Sequence, residues 1–163
     1  MGNVGGSLII SGGVDVSADV TTALSQTSPT GVGRRQVAAT TVDIGDACVF
    51  DGTADLFTGT SQVFMLTGLS FKLPNVDVSD DCNLTSIAIQ TDDVTAAVIF
   101  DSTQGAVANL TAEAELSWTG LIRITVGTKI QITVAGGAAD ASTVCLVVAE
   151  GYAVVAGGTL VAA

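Results

Sequence analysis

The 163-residue chain contains no histidine. Histidine is the usual proton carrier near neutral pH, so acid–base catalysis would have to depend on carboxylates or lysines with strongly shifted pKa values. The chain has five cations against sixteen carboxylates, which gives a formal net charge of −11. Nucleic-acid binding requires clustered cations that neutralise phosphates, so the composition argues against it.

Cysteine and long apolar runs are also scarce. Cys48, Cys82 and Cys145 are odd in number, far apart and outside any CxxC pair. With no histidine to complete a ligand set, they predict no zinc site, and Cys145 is interpreted as a buried reduced thiol. Mean hydropathy is high at +0.60, but the charge-free residues 151–163 are too few and too glycine-rich for a membrane span. We expect no membrane contact and no cofactor.

The first 36 residues differ in composition from the rest. They are rich in glycine, serine and threonine, with short apolar pieces such as Leu8, Ile9 and Ile10 between them. Glycine at this density disfavours an independent core. We therefore predict an extended N-terminal arm, residues 1–36, that orders against a partner, and a single domain, residues 37–163. An edge strand of the main sheet is the alternative for the arm.

Two of the five cations, Arg34 and Arg35, adjoin where the predicted arm meets the domain. In so acidic a chain they are the best candidates for contact with an acidic partner surface, alongside Leu8, Ile9 and Ile10. A solubilising loop pair is the alternative. Residues 31–35 lack the Gly-Lys-Ser/Thr ending of a phosphate loop. Residues 1–15 carry no cation and so lack the basic region of a secretory signal, which favours synthesis and assembly in a cytoplasm.

From residue 36 onward the pattern favours β-strands. Apolar residues of odd number from Val63 to Leu73, including Met65, are assigned to one face of a strand, and a second strand is centred on Ile87 and Ile89. Residues 110–118 alternate apolar and polar without interruption, which predicts a half-buried strand. Alanine and glutamate are good helix formers, so a helix remains the alternative there.

Further strands are predicted towards the end of the chain. Residues 122–126 and 130–134 alternate on either side of Gly127 and Thr128, which favours a hairpin with a type II′ turn. Residues 144–148 are apolar on both parities, as in a central strand covered on both faces. Short strands at spacings of about 8–12 residues predict an all-β sandwich or barrel. No run of 10–15 residues has helical periodicity, so a parallel βαβ fold is disfavoured.

Neighbouring carboxylates are the remaining candidates for chemistry. Asp80–Asp81 and Asp92–Asp93 lie at predicted strand ends, where turn chemistry explains aspartate. Residues 77–81 and 46–55 contain enough oxygen ligands for calcium but do not follow the EF-hand order, so solvated turn carboxylates are favoured. We predict no catalytic residue, no metal site and no enzymatic activity.

Three segments resemble the small all-β head proteins of tailed bacteriophages, the capsid decoration or cement proteins: residues 87–93, 108–112 and 129–137. The resemblance implies an antiparallel, jelly-roll-like β-sandwich with an extended N-terminal arm. It also implies a structural virion protein that binds the outside of an icosahedral capsid as a homotrimer and stabilises contacts between major capsid proteins. No catalytic residue carries over, because that family has none.

Two other functions remain open from the sequence. One is a carbohydrate-binding or fibre-type β-sandwich, which would need exposed aromatic side chains on loops, whereas Trp118 lies on an apparent core parity. The other is an enzyme that uses paired carboxylates.

Overall fold

The computed structural model describes residues 32–45, 52–81, 83–139 and 142–163. These residues form nine β-strands and one turn of 3-10 helix, Val107–Asn109. The strands are β1 (Arg35–Asp43), β2 (Gly52–Thr60), β3 (Phe64–Lys72), β4 (Ser86–Thr91), β5 (Val98–Phe100), β6 (Glu115–Ile124), β7 (Lys129–Ala135), β8 (Val144–Ala153) and β9 (Thr159–Ala162). No helix in these ranges is long and apolar enough to cross a membrane.

The strands make two antiparallel sheets, in the orders β1-β8-β3-β6 and β5-β4-β7-β2-β9. This is the order of an eight-stranded jelly roll, a double Greek key, with β9 added beside β2. The predicted all-β class and the antiparallel, jelly-roll-like sandwich are therefore confirmed. The predicted arm falls almost wholly on residues 1–31, outside the described residues, and its division from the domain stays a prediction.

The core lies between the inner faces of the two sheets. Alternation along each strand directs every second side chain inward, and β7 shows this most simply, since Ile130, Ile132 and Val134 are buried. Phe57 and Phe71 are buried there as well. Each fully buried side chain of this size contributes roughly 1.5–3 kcal/mol relative to exposure. These alternating residues are what hold the two sheets together.

Because neighbouring strands run antiparallel, the loops collect at two opposite ends of the sandwich. One end, named here the valine end, holds residues 61–63, 92–97, 125–128 and 154–158, and begins with Val32 and Gly33 before β1. Its loops are tied together, since Val154 N donates to Val63 O at 3.1 Å and Asp92 N donates to Lys129 O at 3.0 Å. The other end, named here the acidic end, holds residues 44–45, 73–81, 83–85, 101–114, 136–139 and 142–143.

The predicted hairpin around Gly127 is wrong, because β6 and β7 lie in different sheets. Residues 125–128 instead form a corner between the sheets. Thr128 N donates to Thr125 O at 3.1 Å, and Gly127 has φ +88° at the third position, as in a type II turn. Gly127 N donates to Gly59 O in β2, and Gly59 N donates to Thr128 O, both at 2.8 Å. Two alternating runs around a glycine suit a corner as well as a hairpin.

The strand predicted at residues 110–118 begins only at Glu115. The preceding residues form a turn in which Glu113 has φ +60° and donates its N–H to Pro74 O at 2.9 Å. Leu110 is buried at the end of the 3-10 turn, and the half-buried Leu116 and Trp118 keep the predicted inward parity. Neither a nine-residue strand nor a helix forms, because the loop backbone bonds to the segment after β3.

The single parity predicted for β3 is also wrong. The pairing of β3 with both neighbours shifts register between Leu66 and Gly68, which marks a β-bulge. Phe64 and Leu66 are buried before the bulge, whereas Leu69 and Phe71 are buried after it. Met65, placed with the core by parity alone, faces outward. A bulge depends on the partner strands, so periodicity within one strand does not show it.

Candidate functional site

The outer face of the four-stranded sheet carries an apolar stripe. It is formed by β1 and β8, where Ala39 lies opposite Val148 and Thr41 lies opposite Leu146. Val144 and Leu146 are 50% and 44% exposed. The prediction that β8 is central is confirmed, but the prediction that both of its faces are covered is wrong among the described residues. We call this surface the apolar stripe: Val37, Ala39, Val144, Leu146 and Val148.

Polar side chains at the centre of the outer face of the five-stranded sheet bond to one another. Asp55 is the middle of this group, with Lys129 Nζ at 2.7 Å and Gln131 Nε2 donating to it at 2.6 Å. The bond from Lys129, followed by that from Gln131, lowers the pKa of Asp55, and Asp55 raises the pKa of Lys129. Thr53 and Thr133 share a hydrogen bond of 3.2 Å on the same face. The polar groups at the centre of this face therefore pair with one another, whereas the apolar stripe has no polar side chains.

Both predicted arginines lie at the valine end. Val32 pairs with Ala153, Gly33 N donates to Ala153 O at 3.0 Å, and Arg34 follows in an exposed position. Arg35 opens β1, and its exposed guanidinium bonds the carboxylate of Glu150. Leu8, Ile9 and Ile10 lie outside the described residues, so the structure does not place them beside the arginines.

The register adds a third arginine that sequence reasoning missed. Arg35 lies opposite Tyr152, Tyr152 opposite Met65, and Met65 opposite Arg123. The four residues form one row across the outer face of the sheet, with Arg123 exposed on the far strand. Nothing local in the sequence links Arg123 to Arg35, since only the pairing of strands far apart in the chain aligns them.

The ion pair between Arg35 and Glu150 shifts the pKa of both side chains. The hydrogen bond from the guanidinium, reinforced by its charge, lowers the pKa of Glu150, and the carboxylate raises the pKa of Arg35. Both groups are exposed to solvent, so the pair adds little to folding stability. Its effect is to fix one guanidinium beside the apolar stripe.

Two of the predicted turn carboxylates accept hydrogen bonds within their own turns. Asp77 Oδ1 accepts from Ser79 N and Asp81 Oδ1 from Leu84 N, both at 2.9 Å. The backbone bond from Ser79 lowers the pKa of Asp77. Asp92 Oδ1 accepts from Lys129 N at 2.7 Å. Within the described ranges, no three acidic or cysteine side chains converge to hold a metal ion.

Asp43 joins the end of β1 to the start of β8. Its Oδ1 accepts from Gly45 N at 2.8 Å and from Thr143 N at 2.7 Å, while Oδ2 accepts from Ser142 Oγ at 2.5 Å. Burial raises its pKa, but the bonds from Ser142, Gly45 and Thr143 outweigh burial and hold the pKa below its ordinary value. The clamp is structural, since each bond fixes a strand end.

Cys145, two residues after Thr143, is buried and free, as predicted. Burial, with a smaller effect of Asp43, raises the pKa of its thiol to about 12. A thiol in this environment stays protonated at physiological pH and is a poor nucleophile. Cys48 and Cys82 lie outside the described residues.

An open cleft of about 270 Å³ lies on the outer face of the four-stranded sheet, beside Glu150 and Trp118. Its other lining residues are Gly68, Leu69, Ser70, Glu115, Ser117, Thr119 and Val148. Sugar binding depends on an exposed ring face, yet every aromatic side chain in the described ranges is buried or half-buried. Trp118, the aromatic side chain among these lining residues, is only partly exposed.

No family model matches the chain, and no curated protein matches its sequence. Among solved structures, a chain of the acidic stable capsid of Helicobacter pylori bacteriophage KHP30 is 9% identical with a TM-score of 0.49, and the match covers 78% of this chain and 92% of that chain. A chain of the cyanophage Pam1 capsid asymmetric unit is 20% identical with a TM-score of 0.43, covering 73% and 84%. A chain of the virus-like particle of Macrobrachium rosenbergii extra small virus is 14% identical with a TM-score of 0.29, covering 72% and 79%. At these values the likeness assigns this chain to no family.

Proposed function

We propose that this chain is a structural virion protein that binds the outside of an icosahedral capsid and stabilises contacts between major capsid proteins. The observation that carries the proposal is a set of ten valine and leucine side chains left exposed by the described fold. Single exposed apolar residues are ordinary, but groups of them mark surfaces that meet another protein. The ten are Val37, Val94, Val98, Leu121, Val126, Val144, Leu146, Val154, Val155 and Val161.

The arrangement of polar groups supports the same function. Carboxylates cap turns or strand ends, as Asp43 and Asp92 do, and Cys145 is buried with a raised pKa. What the described chain presents to its surroundings is therefore surface rather than a reactive centre. A shell component acts through such surfaces, repeated many times by the symmetry of the particle.

Residues 1–36 are proposed as the tether to the major capsid protein, through Leu8, Ile9, Ile10, Arg34 and Arg35. Ordering an extended segment costs about 1–2 kcal/mol per residue in backbone entropy. Addition of a strand to a sheet edge offsets this cost through main-chain hydrogen bonds and alternate apolar side chains. The arginines at the start of β1 would then meet carboxylates of the partner.

Titration onto shells purified from particles made without this chain tests the function and the tether. The wild-type chain should saturate the shells at a copy number fixed by their symmetry. Replacing Leu8, Ile9 and Ile10 with serine should weaken binding at least about tenfold, since three apolar contacts are lost. Ser25→Ala with Thr27→Ala is the matched control. Absence of wild-type binding contradicts the function, whereas normal binding of the serine variant contradicts only the tether.

The homotrimer is proposed to form through the apolar stripe. Its valines and Leu146 lie side by side on β1 and β8, and a self-contact there would cover them. Native mass measurement of the purified chain should give three copies, and Leu146→Asp should give one, because an unpaired carboxylate would be placed in the contact. A monomeric wild-type chain at micromolar concentration contradicts this part of the proposal.

A further inference from the structure

The charged side chains of the described residues divide unequally between the two ends of the sandwich. Toward the valine end lie four cations and four carboxylates, and two of these carboxylates, Glu150 and Asp55, are paired with cations. Toward the acidic end lie one cation and seven carboxylates. The first group is Arg34, Arg35, Arg123, Lys129, Asp55, Asp92, Asp93 and Glu150, and the second is Lys72, Asp43, Asp77, Asp80, Asp81, Asp101, Glu113 and Glu115.

Exposed apolar residues show the opposite distribution. Three loops of the valine end carry Val94, Val126, Val154 and Val155, with exposures from 43% for Val154 to complete exposure for Val94. Within the described loops of the acidic end, no large apolar side chain is exposed. The leucines and isoleucines there are buried: Ile44, Leu73, Leu84 and Leu110.

The chain outside the structure joins at the same end. Residues 1–31 precede Val32, which pairs with Ala153 at the valine end. The junction between that segment and the domain therefore lies beside the loops that carry the exposed valines. The distribution of charge, the exposed apolar side chains and the point where residues 1–31 join the domain all indicate the valine end as the contact surface.

We infer that the sandwich docks end-on, with the valine end against the capsid surface and the acidic end directed outward. This deepens the proposed function and rests on it. The occupant is an assembled capsid surface that presents apolar side chains with carboxylates opposite Arg123, which forms no ion pair within the described ranges.

Desolvation decides between the two ends. Docking by the acidic end would remove water from a surplus of six carboxylates, which is costly unless each gains a cation. Docking by the valine end buries valines together with Asp92 and Asp93, and the same end carries Arg34 and Arg123 to balance their charge. The outward face would then keep its carboxylates in water.

Single aspartate substitutions test the docking geometry on shells made without this chain. Val94→Asp, Val126→Asp and Val154→Asp should each raise the dissociation constant at least about tenfold, because a carboxylate would be buried in the contact. Val161→Asp is the matched control, since Val161 is comparably exposed but lies within β9, on the outer face of the five-stranded sheet, rather than in a loop of the valine end. This control should stay within about twofold of wild type.

Two results separate failure of the docking from failure of the function. If wild type binds and the three valine-end variants bind equally well, end-on docking by this end is overturned and the capsid function stands. If wild type does not bind the shells, both are overturned. Electron cryo-microscopy of shells decorated with wild type gives a second measurement that needs no variant: density with the acidic end against the shell overturns the inference.

Discussion

Asp43 shows how a single carboxylate sets the geometry of a strand pair. Three donors from two chain segments converge on it: Gly45 after β1, and Ser142 and Thr143 before β8. Removal of the carboxylate would leave backbone N–H groups at the strand ends without their acceptor. Loss of an acceptor from a partly buried donor costs more than the bond contributes when formed.

Asp43→Ala should therefore lower the free energy of unfolding at pH 7 by about 1–3 kcal/mol. Asp80→Ala, at an exposed position, should stay within about 0.5 kcal/mol and is the control. Urea unfolding monitored by circular dichroism measures both. Equal stability of the two variants would contradict the role given to Asp43.

The pH dependence of Asp43 follows from its lowered pKa. The folded-state pKa lies below the unfolded value of about 3.9, so the contribution to stability is complete above that value. It is lost as the pH falls through the folded-state pKa. The stability difference between wild type and Asp43→Ala should therefore shrink below about pH 4, and a difference that persists to the lowest measurable pH would contradict the assignment.

At the scale of elements, the corner between β6 and β7 determines how the two sheets meet. Gly59 in β2 contacts this corner closely, and a Cβ placed on it would overlap Thr125 O and lie 2.7 Å from Ile124 Cγ2. The backbone carbonyl of Thr125 cannot move away from an added Cβ as the end of a flexible side chain can. The close contact therefore depends on glycine at this position of β2.

Gly59→Ala should lower the free energy of unfolding by about 1–3 kcal/mol, as overpacking of a tight contact does. Gly68→Ala is the matched control in β3, since its Cβ would lie 3.1 Å from Cγ of the flexible Glu150 side chain. The control should lose less than about 1 kcal/mol. Thermal and urea unfolding of both variants measure the difference, and equal losses would contradict the argument.

The elements also show what the sequence could and could not predict. β4 and β7 alternate simply, lie in one sheet and were predicted with their inward residues, Ile87, Ile89 and Ile132 among them. The bulge in β3 and the corner at Gly127 were not predicted, because both depend on contacts with strands that are distant in sequence. The alignment of Arg123 with Arg35 across the sheet was missed for the same reason. Arg34 and Arg35 were predicted as a contact on composition alone, and their role stays a prediction.

At the scale of the whole molecule, the absence of histidine limits how the chain responds to pH. The chain has no side chain whose ordinary pKa lies between 5 and 8. Only a side chain whose pKa is shifted by its surroundings could titrate in that range. The resolved shifts move away from that range: the pKa values of Asp43, Asp55 and Glu150 are lowered, and that of Cys145 is raised to about 12.

The melting temperature should therefore vary little between pH 5 and 8. At pH values below about 4 it should decrease, because the carboxylates whose pKa is lowered in the folded state then take up protons. Differential scanning calorimetry across this range measures the profile. A transition centred between pH 6 and 7 would contradict it, as would release from shells over the same interval. Buffers of equal ionic strength are the control for screening.

The unequal charge of the two ends makes the molecule an electric dipole. Strands such as β8 have ten residues, so at about 3.3 Å per residue the two ends of the sandwich lie about 30 Å apart. Near a surface of negative potential, such a dipole experiences a torque that turns the neutral end forward. At physiological ionic strength this torque acts only within about 8 Å of the surface. Molecules would thus arrive already aligned, and the fraction of productive collisions, rather than the strength of the final contact, would decline as salt is added.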